Sequence, residues 1–117
     1  MASEGFHEQT QDLTPQTRDM HRAITSLMEE LEAVDWYQQR VDATTDDALR
    51  TILAHNRDEE KEHASMVLEW IRRHDPVFDI NLRKYLFTTE AITERPDEET
   101  PAEAPSPQKT GGRRWNG

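Results

Sequence analysis

The chain has no cysteine, which removes disulfides, thiolate metal sites and thiol nucleophiles from consideration. Glycine and proline are almost missing from its middle. No glycine falls between Gly5 and Gly111, and Pro76 is the one proline between Pro15 and Pro96. That excludes glycine-rich phosphate loops and leaves no Asn-Gly or Asp-Gly hairpin turn. No apolar run approaches the roughly 20 residues of a membrane span. Positive charge is also scarce: 14 Lys and Arg stand against 24 Asp and Glu, a net charge of −10, which argues against nucleic acid as a partner. The opening "MASEGFHEQTQD" lacks the basic and apolar regions of a signal peptide, so the expectation is a cytoplasmic chain with no membrane partner.

What is present is helix-forming and polar. The 117 residues amount to one domain at most, and only 33% are hydrophobic. Residues 1–12 read as a flexible N-terminus and residues 13–90 as a helical domain. From Arg95 the sequence runs "RPDEETPAEAPSPQKTGGRRWNG". This composition cannot bury enough apolar surface to offset chain entropy, so residues 91–117 read as a disordered tail. The ordered part is small for a self-sufficient core.

Helix one is expected from "TPQT", with Thr14 as N-cap and Pro15 at the first helical position. Met20, Ile24, Leu27, Leu31, Val34 and Val41 follow a helical spacing and form a seam for a partner helix. The break is "DATTDD", where Thr44 or Thr45 is placed to cap helix two and Asp46 and Asp47 sit well against its N-terminal dipole. Helix two then extends from about Asp46 to His74, and "PVFDINLRKYLF" reads as a short third helix. The fold class is all-α: an antiparallel two-helix hairpin plus a short C-terminal helix. Two amphipathic helices cannot cover both sides of one another, so a two-fold dimer giving a four-helix arrangement is expected.

Helix two carries an anomaly on its apolar stripe. On a wheel of about 100° per residue, Leu49, Leu53, Val67 and Ile71 lie within roughly 20° of Glu60, and His63 lies about 60° away. A carboxylate in that position is costly to bury unless it meets a cation. Glu60 and His63 form Glu-x-x-His, an i, i+3 pair whose side chains converge on one point. Four-helix di-metal carboxylate sites use two such pairs plus one Glu from each of two further helices. Glu30, at the edge of the helix-one stripe, is the candidate for that lone Glu. One chain therefore provides half of a site, and the dimer demanded by the apolar surface is the one demanded by the ligand count. The competing account is a buried Glu60–His63 hydrogen-bonded pair that only fixes helix register.

Two other clusters lie on outward faces. Glu29, Glu32 and Trp36 share one side of helix one, a solvated face whose exposed tryptophan argues for a protein contact. His55, Glu59 and Glu62 on helix two form a face with the donors for a surface cation, plain solvation being the alternative. His7, His21 and His74 are assigned no role.

The stretches "MEELEAVDWYQQR" (28–40) and "ILAHNRDEEKEHASMVLEWIRRHD" (52–75), continuing through "LRKYLF", closely resemble the encapsulated ferritins, iron-oxidising cargo proteins of encapsulin nanocompartments. The resemblance implies an annular decamer of five dimers inside an encapsulin shell, with a di-iron ferroxidase centre at each dimer interface. It places the iron ligands on Glu30, Glu60 and His63 of both chains, with Tyr37 beside them as a further candidate catalytic residue. It maps a metal-entry site onto Glu29, Glu32 and Trp36, and a peripheral cation site, with calcium as its candidate ion, onto His55, Glu59 and Glu62. Members commonly end in a targeting peptide with a Gly-Ser-Leu-like core. This chain ends "TGGRRWNG", without that element, and Trp115 is the candidate anchor of a divergent signal. The implied reaction is oxidation of Fe(II) by dioxygen, feeding iron storage in the nanocompartment. The rival functions are a metal-free helical adaptor and a di-metal enzyme of another type, such as a peroxide scavenger or a manganese protein.

Overall fold

The computed structural model describes residues 5–94. Among them the chain is all-helical: α1 spans Pro15–Ala43, α2 Asp47–His74 and α3 Pro76–Tyr85, with single 3₁₀ turns at Thr10–Asp12 and Ile92–Glu94. Of the expected tail, 91–117, residues 92–94 form the second 3₁₀ turn, and the part from Arg95 on, with Trp115, lies outside the described residues. The chain divides between His74 and Asp75 into two units, which are taken separately.

The first unit is the hairpin. Thr14 caps α1 by accepting the Thr17 N–H at 3.1 Å, with Pro15 in the first turn. Arg18 reaches back to the Leu13 carbonyl, its Nη2 at 2.9 Å, and fixes the chain entering the helix. Ahead of it, the Phe6 ring lies against His21, centroids 4.3 Å apart, which gives His21 a contact that its sequence context did not suggest. With no interior glycine or proline, α1 continues for 29 residues, about 43 Å.

The turn between the long helices is three residues, Thr44 to Asp46. Here the capping differs from the sequence expectation. Asp46 is the cap, its Oδ1 accepting the Leu49 N–H at 2.8 Å. The Thr44 hydroxyl is used one step earlier, accepting the Asp46 N–H at 3.1 Å. The reason is spacing: Asp46 stands three residues before the orphan Leu49 amide, and its charge suits the positive end of the helix dipole. Arg50 folds back over this turn, its Nε 3.3 Å from the Val41 carbonyl and its Nη2 on the Thr44 carbonyl. The basic last turn of α2, Arg72 to His74, suits the negative end of the helix dipole.

The helices run antiparallel. Gln38 near the end of α1 bonds Arg57 near the start of α2, while Asp19, Ala23 and Ser26 share a groove with Met66, Val67 and Trp70. Packing between them is thin, for only Ala64 and Ile71 are buried. Two residues of the expected seam, Ile24 and Leu31, are exposed, Leu31 by 54%, and so is Leu49 on α2. One neighbouring helix covers one flank of a stripe that is wider than the contact. Ile52 and Met66 add to the uncovered apolar surface at 56% and 58% exposure.

In the second unit, Asp75 caps α3, accepting the Val77 and Phe78 amides at 3.0 and 2.9 Å, and Pro76 occupies the first turn. The helix ends two residues before the expected Phe87. Leu86 is extended and Phe87 is left-handed, with φ 61°, so neither continues the helix. Among the described residues no helix is long and apolar enough to cross a membrane.

Candidate metal centre

Glu60 and His63 lie one turn apart on α2, and the fixed pitch of the helix brings their side chains together: His63 Nδ1 is 3.5 Å from Glu60 Oε1. The antiparallel pairing then sets Glu30, midway along α1, against this pair. One donor atom from each of Glu30, Glu60 and His63 falls within 4.8 Å of the others, the one group of three metal-type donors among the described residues. Two carboxylates and an imidazole at that separation fit a single small cation.

The Glu30 Oε1 is buried with no hydrogen-bond partner among the described residues. Burial pushes its carboxyl above the usual carboxylate range; Glu60 and Glu29 push the same way, and His63 opposes them. A carboxylate held in this way favours a proton, or a cation in its place. The cluster is not sealed, since the Glu60 side chain is 26% and that of His63 45% exposed. The face that carries it opens to solvent within a single chain.

The remaining site candidates are placed as follows. Tyr37 is half-buried on α1, its ring under the Arg40 guanidinium at 5.5 Å; its hydroxyl does not bond to Glu30, Glu60 or His63. Glu29 is exposed, Glu32 half-buried and Trp36 exposed. His55 Nε2 and Glu59 Oε2 are 3.2 Å apart in a solvent-exposed pair, and Glu62 does not join them as a third donor. His74, which had no expected partner, stacks on Trp70 with ring centroids 3.9 Å apart.

Polar residues beside the cluster escaped the sequence reading. Arg57, one turn before Glu60, donates from Nη1 to Gln38 Oε1 at 2.8 Å across the hairpin. Helical phase puts Arg57 beside the stripe, but only the register of α1 on α2 identifies its partner. Glu69 accepts from Arg72 at 2.8 and 2.9 Å and from Arg73 at 2.6 Å, and these guanidinium groups, Arg72 foremost, pull its carboxyl down to about 2. Its i, i+3 and i, i+4 spacing was readable from the sequence.

A family model described as EncFtn-like matches residues 5–89. The chain belongs to this EncFtn-like family. Its relatives include an encapsulated ferritin-like protein from Rhodospirillum rubrum, 61% identical over 92 residues. That alignment covers 79% of this chain and 66% of the relative, so the EncFtn-like chain spans about two thirds of the relative's length. A ferritin-like protein from Thermotoga maritima is 56% identical over 93 residues, covering 80% of this chain and 82% of that one. An encapsulin nanocompartment cargo protein, EncC, from Myxococcus xanthus is 41% identical over 59 residues, covering 50% of this chain and 45% of that one. Among solved structures, the crystal structure of protein ne0167 from Nitrosomonas europaea is 66% identical, with a TM-score of 0.74 over 76% of this chain and 98% of that chain. The all-α hairpin and the Glu-x-x-His pair thus stand in a ferritin-like context.

Proposed function

We propose that this EncFtn-like chain is a ferroxidase whose di-iron site is completed by a second copy of itself. The observation that carries the reading is the Glu30–Glu60–His63 group with its buried, unpartnered Glu30 oxygen. One chain supplies two carboxylates and one imidazole. Two chains supply four carboxylates and two imidazoles, the complement for two iron ions in a four-helix setting. The open face of the cluster and the uncovered Leu31, Leu49 and Ile52 supply the reason for pairing.

Iron is the substrate. Glu30 and Glu60 offer hard, anionic oxygens, and this charge favours Fe(III) over Fe(II) and so assists loss of an electron to dioxygen. His63 provides a neutral nitrogen ligand, and Tyr37 supports the site from two turns along α1. Glu29, Glu32 and Trp36 form the route by which iron enters, and the His55–Glu59 pair holds a peripheral cation such as calcium, with Glu62 joining on binding. The names of the relatives from Rhodospirillum rubrum and Myxococcus xanthus support association with an encapsulin shell and storage of the oxidised iron there. A ring of five dimers is the assembly proposed within that shell.

The test is anaerobic loading of the full chain with Fe(II), followed by admission of air. Rapid growth of Fe(III) absorbance, abolished in Glu60→Ala and His63→Ala variants of normal helicity, is expected. Absence of accelerated oxidation in the unmodified chain overturns the ferroxidase reading.

A further inference from the structure

Glu60 and His63 hold their separation because they share one helix. Glu30 belongs to the other helix, so its reach to the pair depends on how α1 is held along and around α2. Little apolar packing enforces that register, since Ala64 and Ile71 are the buried residues of the hairpin. Arg50 ties the turn, but it lies far along α2 from Glu60. Between the turn and the centre stands a polar crosslink. Arg57 Nη1 donates to Gln38 Oε1 at 2.8 Å, Gln38 Nε2 donates to Asp42 Oδ1 at 3.0 Å, and Arg57 Nε donates to Asp58 Oδ1 at 2.9 Å. Both members of the bridge are thus held from two sides, which fixes the plane of the amide and of the guanidinium. The Arg57 side chain is only 19% exposed, so the bond is shielded from competing water.

The geometry points to the Gln38–Arg57 bridge as the positioning pair of the metal centre: it fixes the register of α1 against α2 one turn from Glu60, and so places Glu30 within reach of Glu60 and His63. Neither residue touches the donors; both act through the placement of Glu30. The inference rests on the metal-site reading above, and the experiment separates the two.

The experiment is Co²⁺ titration of the full chain, followed by the visible absorption of the bound ion, alongside circular dichroism and native mass spectrometry. Gln38→Met removes the acceptor without adding charge. It is expected to keep helicity and subunit number while weakening Co²⁺ binding about tenfold, the low end for loss of a residue that orients a ligand. Gln38→Glu, which still accepts from Arg57 but can no longer donate to Asp42, should recover part of that affinity. In a Glu30→Ala background, Gln38→Met should have no further effect, because the ligand it places is gone. Should Gln38→Met lose helicity, Arg57→Lys, which keeps the charge but not the two-sided grip, carries the same test. Unchanged Co²⁺ affinity in the bridge variant overturns the inference. So does an equal loss with and without Glu30, which reports general loosening of the hairpin. Unaltered affinity in Glu30→Ala alone overturns the underlying site assignment instead, with Gln38 intact.

Discussion

Glu30 has opposite effects on folding and on chemistry. Its buried oxygen has no partner, so the metal-free chain bears the cost of desolvating it. Replacing Glu30 by Leu should stabilise the metal-free protein by about 1 kcal/mol in thermal unfolding. The same substitution should abolish rapid Fe(II) oxidation, read in the same preparation. The pH dependence follows from the direction of its shift. Its folded value is raised, so its contribution to stability is fully present below the unfolded value and is lost as pH rises through the folded one. Metal binding at the proposed site would need the ionised form and should therefore strengthen with pH over the same window. Glu69 behaves in the opposite sense. Held at about 2 by Arg72 and Arg73, it contributes above its ordinary 4.5 and loses that contribution as pH falls towards 2. Glu69→Gln should flatten the acid limb of the stability curve between those values, measured by urea unfolding at stepped pH, with a loss at pH 7 of no more than about 1 kcal/mol because the group is partly exposed.

At the scale of elements, the helices were legible because their punctuation is local. Thr14-Pro15 opens α1 as expected and α3 begins at the expected Pro76, since a cap or a proline acts within three residues of itself; Asp75 as the cap of α3 was not singled out from the sequence. The turn was misread for a related reason: both Thr44 and Asp46 have suitable side chains, and only the actual exit angle of α1 decides which amide each one meets. Asp46→Ala should cost about 1 kcal/mol and Thr45→Ala close to nothing, in denaturant titrations of the two variants. The donor set was equally readable, because Glu60 and His63 are related by helical pitch and Glu30 by the antiparallel return of a three-residue turn. Long-range side-chain partners were not readable. Nothing in the order of residues pairs Gln38 with Arg57, or Phe6 with His21, until the register of the packed chain is known.

For the whole molecule, the determining fact is how little a single chain buries. Leu31 and Ile52 are more than half exposed, on a protein whose proposed site lacks half its ligands. A charge at either position should prevent pairing without touching a donor. Leu31→Glu and Ile52→Glu are expected to sediment as smaller species and to oxidise Fe(II) at the background rate, although Glu30, Glu60 and His63 are intact.

Two buried side chains, Ala64 and Ile71, are very little cohesion for a 28-residue helix and its mate. For such a chain, concentration becomes a chemical variable. On the proposed pairing, folding, association and acquisition of a complete ligand set would rise together with the square of the number of chains present, and each tenfold dilution would withdraw about 1.4 kcal/mol from that coupled event. Iron would meet a functioning site only where chains are crowded together, and newly made copies in dilute solution would leave it untouched.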